Sequence, residues 1–158
     1  MIRIGQGIDV HPFETQRPLV LGGVRISERD GLAGHSDADA VLHAITDALL
    51  GAVAAGDIGA YFPSEDARWK GAASEAFVRE ALRVVTERGF AIGNVDVTIL
   101  AEKPKLAPHR DRIRDSIAAI LGIAIDRVSV KATTTDHLGF IGRSEGIAVF
   151  AVVLVHEL

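Results

Sequence analysis

The sequence predicts an α+β fold: a two-layer sandwich in which helices cover one face of a mixed β-sheet. Strand-like and helix-like stretches are interspersed along the chain, but their repeats are too few for a doubly wound sheet. In addition, the last apolar run, Ile147 to Val155, contains no polar residue. Such a strand is typical of burial on both faces. Because a two-layer domain covers its sheet only once, we expect another subunit to supply the second cover.

The chain begins with strand patterns. The stretches Ile2–Ile4 and Ile8–Val10 predict a first strand. Two apolar runs, at 19–21 and 24–26, flank the pair Gly22-Gly23. A glycine pair between two such runs is typical of a tight hairpin. The first quarter of the chain therefore predicts antiparallel strands.

The strongest helix pattern extends from Asp37 to about Ala55. Apolar residues recur there at helical spacing, and Gly56 provides a stop. The flanking segments 27–35 and 57–73 are rich in charged residues and glycine, so we predict loops for both. Loops as long as the second one are often functional.

The second half of the chain alternates between helix and strand patterns. Its helices have apolar stripes at the 3.6-residue period, and its strands are short and rich in β-branched residues. The predicted elements are a helix capped by Ser74 and ended by Gly89, a strand at 95–101, a helix from Pro108 to Gly122, a strand at 128–132 and a strand at 146–155.

The composition restricts the function classes. The 158 residues include 17 basic and 21 acidic side chains, which give a formal charge of −4. Because the Lys and Arg residues are scattered, nucleic-acid binding is disfavoured. The chain has no Cys, so a transition-metal site would have to use imidazole and carboxylate. The length predicts a single domain over residues 1–158.

The apolar runs are too short for a membrane span. A spanning helix needs about 20 apolar residues, and the run from Ile147 to Val155 is the longest in the sequence. Met1–Ile4 leads directly into a strand pattern instead of an apolar leader. We therefore expect a cytoplasmic protein without a membrane partner.

Asp9 and His11 are candidate metal ligands. They are two residues apart at the end of the first strand, so their side chains share a face. His43 lies between Asp39 and Asp47 on one stripe of the predicted helix. Together, Asp9, His11 and His43 would leave one coordination position open, as a catalytic Zn²⁺ requires, and Asp39 or Asp47 would orient His43. Taken separately, Asp9 and His11 also fit a strand end with local hydrogen bonds, and the stripe with His43 also fits a solvated helix face.

The segment Gly34–Asp37 precedes this helix and is a candidate phosphate site. Unpaired backbone N–H groups and the helix dipole favour anions at a helix N-terminus. His35 and Ser36 would add donors, and Asp37 would cap the helix. A capped helix start without a ligand explains the same residues equally well.

A second polar segment, Lys131–Asp136, ends a predicted strand with three threonines and an acid. Thr133 and Thr134 could donate to phosphate oxygens, and Asp136 could hold a hard cation such as Mg²⁺. The alternative is a strand followed by a turn, without a ligand. The segment Lys103–Pro108 carries a proline near each end and predicts a rigid loop.

Taken in order, these segments resemble the 2-C-methyl-D-erythritol 2,4-cyclodiphosphate synthases of the non-mevalonate isoprenoid pathway. The likeness covers essentially the whole chain, and the combined string is far more specific than any one piece. The matching segments are Gly5–His11, Leu21–Val24, His35–Asp39, His43–Gly51, Gly56–Gly59 with Phe62-Pro63, Asn94–Thr98 and Lys131–Thr135.

The resemblance implies a homotrimer with active sites between neighbouring subunits. It implies a phosphorus–oxygen lyase that converts 4-diphosphocytidyl-2-C-methyl-D-erythritol 2-phosphate into the cyclic 2,4-diphosphate and CMP. The partners it implies are this cytidyl diphosphate substrate and, in the central cavity of the trimer, an isoprenoid diphosphate that some members bind.

Residue by residue, the resemblance implies that Asp9, His11 and His43 bind Zn²⁺ or another divalent transition metal. It implies that Asp136 binds Mg²⁺ or Mn²⁺. It implies catalytic roles for Thr133, Thr134 and His35. The implied substrate-binding residues are His35, Ser36, Asp57, Gly59, Ala101, Lys105, Leu106, Ala132, Thr133, Thr134, Phe140 and Arg143.

Three positions depart from the family pattern. Gln6 stands where His is frequent, and it lies outside the ligand set. Asp136 replaces the commoner Glu, so its shorter side chain would reach Mg²⁺ through water. Ser64 stands where Asp is frequent, and we assign it no side-chain role.

Two other functions remain open from the sequence. Phe140 and Arg143 resemble residues that line the central cavity of the family trimer, so a sensor of isoprenoid diphosphates is one alternative. A metal-dependent phosphohydrolase that uses the same ligands is the other. The hydrolase would incorporate solvent oxygen into its product, whereas the cyclising enzyme would not.

Overall fold

The computed structural model describes residues 1–63 and 65–158, so Ser64 lies outside the described residues. Within them, five strands form a mixed sheet in the order β4-β1-β7-β5-β6, and two more form a separate hairpin. The strands are β1 (Ile2–Thr15), β2 (Leu19–Leu21), β3 (Val24–Ser27), β4 (Asp30–Leu32), β5 (Phe90–Leu100), β6 (Val128–Thr133) and β7 (Gly146–Glu157).

The helices lie between these strands along the chain. The α-helices are α1 (Ala40–Ala52), the single turn α2 (Ile58–Tyr61), α3 (Glu75–Glu87), α4 (Arg110–Leu121) and the single turn α5 (Gly139–Gly142). Short 3₁₀ turns occur at Ala67–Trp69, Ala107–His109 and Ile125–Arg127. In residues 1–63 and 65–158, every helix is too short or too polar to cross a membrane.

The sheet combines both pairing directions, which confirms the predicted mixed sheet. β7 is antiparallel to β1, from Ile2 opposite His156 to Pro12 opposite Gly146. It is also antiparallel to β5 on its other side, whereas β5 and β6 are parallel. The last strand of the described chain therefore lies at the centre of the sheet.

Two glycines of β1 allow α1 to lie directly on the sheet. A Cβ at Gly5 would overlap the carbonyl oxygen of Ala48, and a Cβ at Gly7 would overlap that of Ala44. Side chains alternate along a strand, so Asp9 faces the same helix as these glycines. This close approach brings the functional end of β1 against α1.

The opposite face of the sheet is apolar and exposed in the single chain. On β1 the exposed fraction is 67% for Ile4, 49% for Ile8 and 46% for Val10. Val152 of β7 is 39% exposed and lies opposite Gln6 on β1. We call these four apolar residues the outer sheet face. It confirms that the helices of this chain cover one face of the sheet only.

Several predicted elements are confirmed with their physical cause. The predicted hairpin is formed by β2 and β3, and Gly22 and Gly23 have φ values of 64° and 79°. Such positive φ values are the reason that glycine is favoured in this turn. The end of α4 at Gly122 is also confirmed, since Gly122 has a φ of 67°.

The loop predicted at 27–35 is wrong in part because it contains β4. Asp30–Leu32 pairs antiparallel with residues 13–15 of β1. The sequence signal for this strand is weak, since backbone pairing with a distant segment, not an apolar pattern, fixes it. Similarly, the loop predicted at 57–73 contains α2 and the turn Ala67–Trp69.

The predicted ends of the helices also need correction. α1 begins at Ala40, and its N-cap is Asp39 instead of Asp37, since the Asp39 carboxylate accepts the Leu42 N–H at 3.0 Å. α1 ends at Ala52, before the predicted stop at Gly56. Ser74 precedes α3, but its side chain does not cap that helix. It takes part in the functional site instead.

Candidate active site

Asp9, His11 and His43 converge at the junction of β1 and α1. One potential ligand atom from each lies within 4.8 Å of the others. Oδ2 of Asp9 is 2.7 Å from Nε2 of His11 and 3.3 Å from Nδ1 of His43. The three side chains are between 12% and 24% exposed. The two elements that meet at Gly5 and Gly7 thus form a group that could bind a metal.

The hydrogen bonding of His11 fits a cation between these groups. Its Nδ1 is 2.6 Å from the carbonyl oxygen of Ala33, which can only accept, so we assign the proton of a neutral ring to Nδ1. The lone pair on Nε2 then points towards the Asp9 carboxylate. Both Nε2 of His11 and Oδ2 of Asp9 are buried without a hydrogen-bond partner. Two facing lone pairs require a proton or a metal ion between them.

The electrostatics of the site agree with this view. In the protonated ring, Nε2–H of His11 would donate to Asp9; this hydrogen bond raises the pKa of His11, although burial acts in the opposite direction. Burial raises the pKa of Asp9, but the bonds and charges of His11 and His43 outweigh it and lower the pKa below the usual 3.8. The carboxylate is therefore ionised at neutral pH and available to a cation.

His43 is oriented by Ser74 and Ser36. The Nε2 atom of His43 lies 2.7 Å from the hydroxyl of Ser74 and 3.1 Å from that of Ser36. Ser74 in turn donates to the carboxylate of Asp37, which also accepts the backbone N–H of Ser74 at 3.0 Å. Nδ1 of His43 is left for the metal position. A hydrogen-bonded partner on the far nitrogen is the usual way to orient a ligating imidazole.

The two acids that we expected to orient His43 have other partners. The Asp39 carboxylate is buried and accepts the N–H groups of Gly22 and Gly23 at 2.8 and 2.7 Å. Asp47 accepts the N–H of Ile58 at 2.7 Å. Asp39 thus fixes the hairpin to α1, and Asp47 fixes α2 to α1.

A cavity of about 200 Å³ opens beside the three ligands. His35 and Ser36 line it, so the segment before α1 lies beside the three candidate ligands. The N-terminus of α1 itself is occupied by the Asp39 carboxylate, and a phosphate there would meet a negative charge. Arg17, which the sequence analysis did not select, donates to the carbonyl groups of Gly34 and Ser36 and holds this segment.

Aromatic residues form the apolar wall of this cavity. Phe62, Trp69 and Phe77 line it, with ring centroids 4.6 Å apart for Phe62 and Phe77 and 4.8 Å for Phe62 and Trp69. These residues were not predicted as site residues from the sequence. Phe62 and Trp69 belong to the predicted loop, and Phe77 belongs to the apolar stripe of α3. An apolar wall lowers the local dielectric and strengthens electrostatic interactions in the site.

Asp57 precedes α2 as its N-cap, and Gly59 lies on α2. The Asp57 carboxylate caps α2 by accepting the N–H of Ala60 at 3.0 Å. Ile58, between the two residues, lines the cavity. The bond from Ile58 to Asp47 therefore places α2 at the cavity edge.

A second cavity, of about 310 Å³, lies at the carboxyl ends of β5 and β6. It contains the six residues that the resemblance assigns to the nucleotide and diphosphate. The six are Ala101, Lys105, Leu106, Ala132, Thr133 and Thr134. Four further residues line the cavity and were not predicted from the sequence: Glu102, Pro104, Ala107 and Arg110. The N–H of Ala101 donates to the carbonyl of Thr133 at 3.0 Å, which joins the two walls.

The loop after β6 carries the remaining candidates. Asp136 is exposed, and within residues 1–63 and 65–158 it does not join a group of three potential metal ligands. Phe140 is 48% exposed on α5. Arg143 pairs with Glu145 at 2.6 Å on the surface.

The structure does not bring all predicted site residues together. The cavity beside His43 and the cavity beside Thr133 have no lining residue in common. One chain thus presents two partial sites, one with imidazole and carboxylate groups and one with threonine and backbone groups.

Comparison with known proteins decides the relationship. The profile of the YgbB family matches residues 2–156. The chain belongs to the YgbB family. A protein named 2-C-methyl-D-erythritol 2,4-cyclodiphosphate synthase from Pseudomonas aeruginosa (strain UCBPP-PA14) is 56% identical over 154 residues, which are 98% of each chain. The resemblance found in the sequence motifs is therefore confirmed over the full length.

Solved structures of YgbB-family relatives have the same fold. The bifunctional IspDF from Campylobacter jejuni matches with a TM-score of 0.97 and 43% identity, covering 100% of this chain and 43% of that longer chain. A 2C-methyl-D-erythritol-2,4-cyclodiphosphate synthase in a form bound to CDP matches with a TM-score of 0.90 and 41% identity. That match covers 98% of this chain and 100% of the other.

Proposed function

We propose that this chain converts 4-diphosphocytidyl-2-C-methyl-D-erythritol 2-phosphate into 2-C-methyl-D-erythritol 2,4-cyclodiphosphate and CMP. The observation that carries the proposal is the ligand group of Asp9, His11 and His43. It occurs in a chain that is 56% identical to an enzyme of this name. A relative bound to CDP supports a cytidyl nucleotide as the group recognised.

The chemistry is limited by charge repulsion. The 2-phosphate must attack the β-phosphorus of the same molecule, and both groups are negatively charged. A divalent transition metal such as Zn²⁺ at the Asp9 group, together with Mg²⁺ or Mn²⁺ at Asp136, would neutralise this charge when bound. The side chains then have to hold the two reacting ends in line, which makes the step unimolecular. CMP leaves with the α-phosphate. Because the attacking oxygen belongs to the 2-phosphate of the substrate, water is not a reactant.

The residues beside the metal position would bind the erythritol part of the substrate. We assign His35 and Ser36 to the phosphorylated end and Asp57 and Gly59 to the hydroxyl groups. His35 and Ser36 line the cavity that contains the ligand group, and α2 lies at its edge. The aromatic wall would exclude water from the reacting phosphates, which favours cyclisation over hydrolysis.

The second cavity would bind the cytidyl end. Ala101, Lys105, Leu106 and Ala132 would surround the base and ribose, mainly through backbone groups. Thr133 and Thr134, which line the same cavity, would donate hydrogen bonds to the diphosphate. Both catalytic threonines are exposed, so they are accessible to a ligand.

We further propose a homotrimer in which each active site is completed by a neighbouring subunit. A single substrate must contact both the imidazole group and the threonine group, and these lie in separate cavities of one chain. The outer sheet face offers the apolar surface for such an assembly, since Ile4, Ile8 and Val10 are exposed on it. An isoprenoid diphosphate in the central cavity would use Phe140 and Arg143.

The first experiment is ³¹P NMR of the metal-loaded protein with the cytidyl diphosphate substrate. We expect CMP and a cyclic diphosphate to appear together. Linear products carrying ¹⁸O from labelled water would show that the chain is a phosphohydrolase. Binding without any reaction would leave only a diphosphate-binding role. Either of these two results would overturn the proposed function.

A further inference from the structure

Glu102 connects the two loops of the second cavity. It lies between Ala101 and Lys103, directly after β5, and its side chain is 8% exposed. We propose that Glu102 is a positioning residue for the phosphate-binding loop 133–137. Its carboxylate would hold that loop in the conformation that substrate binding requires. This inference deepens the proposed function and rests on it.

The contacts of the carboxylate converge from one loop. Oε1 accepts the backbone N–H of Thr135 at 3.2 Å and that of His137 at 3.0 Å. The Thr135 hydroxyl lies 3.5 Å from the same oxygen. Two backbone N–H groups that converge on one anion form a cradle similar to those that bind phosphate. The N–H of Asp136, between them, donates to the Thr134 hydroxyl at 3.2 Å instead. Here a carboxylate of the chain itself fills the cradle, so its role is structural support of the loop.

The backbone of this loop needs such support. Asp136 and His137 have φ values of 54° and 64°, although neither is glycine. Side chains other than glycine are disfavoured in this left-handed region. The bonds from the Thr135 and His137 amides to Glu102 lie on either side of Asp136, and the second bond fixes the amide of His137 itself. The carboxylate therefore stabilises a conformation that the loop would not adopt alone.

The position of the loop explains why this matters for catalysis. Thr133 and Thr134 enter it from β6, and Asp136 lies between the two amides that Glu102 binds. Glu102 itself follows Ala101, which pairs with Thr133 at the base of the same cavity. One carboxylate thus sets the distance between the nucleotide wall and the residues that would bind the diphosphate and Mg²⁺.

The main test compares Glu102→Ala with Glu102→Gln. The Ala variant removes the acceptor, so we expect kcat to fall by about 10–100-fold, as for other residues that orient a ligand-binding group. The Gln variant keeps a carbonyl oxygen at Oε1 and should retain most of the activity. Binding of CMP, measured by calorimetry, should change less than about twofold, because Ala101 and Thr133 still pair.

Glycine at position 137 provides the decisive comparison. His137→Gly relieves the left-handed backbone, so it should restore turnover of Glu102→Ala by about 10-fold. His137→Ala removes the same side chain but keeps the Cβ, and it should restore nothing. Equal rescue by both variants would overturn the proposal, and so would an unchanged kcat in Glu102→Ala.

Amide hydrogen exchange tests the inference without catalysis. We expect exchange at Thr135 and at residue 137 to accelerate about 10-fold in Glu102→Ala. The control is Glu28→Ala, which removes an exposed carboxylate paired with Arg25 and should change neither exchange nor kcat. If the wild-type protein does not cyclise the substrate, the proposed function fails while exchange still decides the role of Glu102. Unchanged exchange at both amides would refute that role.

Discussion

His43 has a polar neighbour at each ring nitrogen. Nδ1 lies 3.3 Å from Asp9, and Nε2 lies 2.7 Å from the hydroxyl of Ser74. Ser74 is fully buried and donates to Asp37. A series of hydrogen bonds thus runs from Asp37 through Ser74 to His43 and ends at the candidate metal position. Such a chain fixes the ring orientation before a metal arrives.

Removal of the Ser74 hydroxyl should therefore weaken metal binding. We expect Ser74→Ala to lower the affinity for Zn²⁺ by about 10–100-fold, because Nε2 loses its closest partner. The circular dichroism spectrum should not change. Competition with a chelating dye measures the affinity. Ser129→Ala, at an exposed position of β6, is the control. An unchanged affinity in Ser74→Ala would show that Ser36 alone orients His43.

Asp39 gives the stability of the protein a specific pH dependence. Burial raises the pKa of its carboxyl to about 6 from the usual 3.8, although three backbone N–H groups act in the opposite direction. The folded state therefore holds this proton more tightly than the unfolded state. The resulting stabilisation is complete below pH 3.8 and is lost as the pH rises to about 6.

The Asp39→Asn variant isolates this contribution. Asn does not titrate, so the advantage of the wild-type protein over the variant should shrink by about 2 kcal/mol between pH 4 and pH 7. Urea unfolding at several pH values measures this difference. Asp126→Asn, at an exposed position of the 3₁₀ turn Ile125–Arg127, should show no comparable trend. A constant difference between the wild type and Asp39→Asn would contradict the assignment.

At the scale of the elements, the contact between β1 and α1 is the most restrictive. Gly5 and Gly7 meet backbone atoms of α1, and backbone cannot move aside as a flexible side chain can. The same contact sets the distance from Asp9 on β1 to His43 on α1. Stability and metal binding therefore depend on the same two glycines.

A methyl group at this contact should affect both properties. Gly7→Ala is expected to destabilise the fold by about 1–3 kcal/mol through overpacking. It should also weaken metal binding, since α1 moves away from β1. In contrast, Gly51→Ala places its methyl 3.9 Å from the nearest atom, and it should stabilise the helix by about 1 kcal/mol. Thermal unfolding and metal titration of both variants check this. Equal behaviour of the two would contradict the role of the contact.

The elements that the sequence predicted are those with local signals. The hairpin at Gly22-Gly23, the apolar stripe of α1 and the shared face of Asp9 and His11 follow from residues close in sequence. In contrast, β4 depends on pairing with β1, and the cap at Asp39 depends on the hairpin.

Two residues of the candidate sites that the sequence did not predict, Ser74 and Glu102, depend on distant contacts. Ser74 reaches Asp37 across 37 positions, and Glu102 reaches Thr135 across 33. Such contacts form only after the chain has folded, so no short pattern reveals them. The candidate ligand group of Asp9, His11 and His43 could be predicted from the sequence because a Cys-free chain leaves few residue types for a transition metal.

At the scale of the whole molecule, the outer sheet face should control assembly. A carboxylate at Ile8 would be buried without a partner in the proposed trimer, at a cost of about 3–5 kcal/mol per subunit. We expect Ile8→Asp to sediment as a monomer with native secondary structure and to lose turnover, because the two partial sites no longer meet. Thr86→Asp, on the exposed side of α3, should remain assembled and active. A trimeric Ile8→Asp would place the interface elsewhere.

The central position of β7 has a consequence for how the protein is made in the cell. A ribosome releases β1 first, yet most of β1 pairs with residues 146–156, which leave the exit tunnel last among the described strands. Until then, the glycine-rich strand and its apolar neighbours lack their main partner and are exposed to aggregation. Asp9 and His11 are not fixed during this interval. We therefore expect the candidate metal position at Asp9 and His11 to form only after β7 has paired with β1.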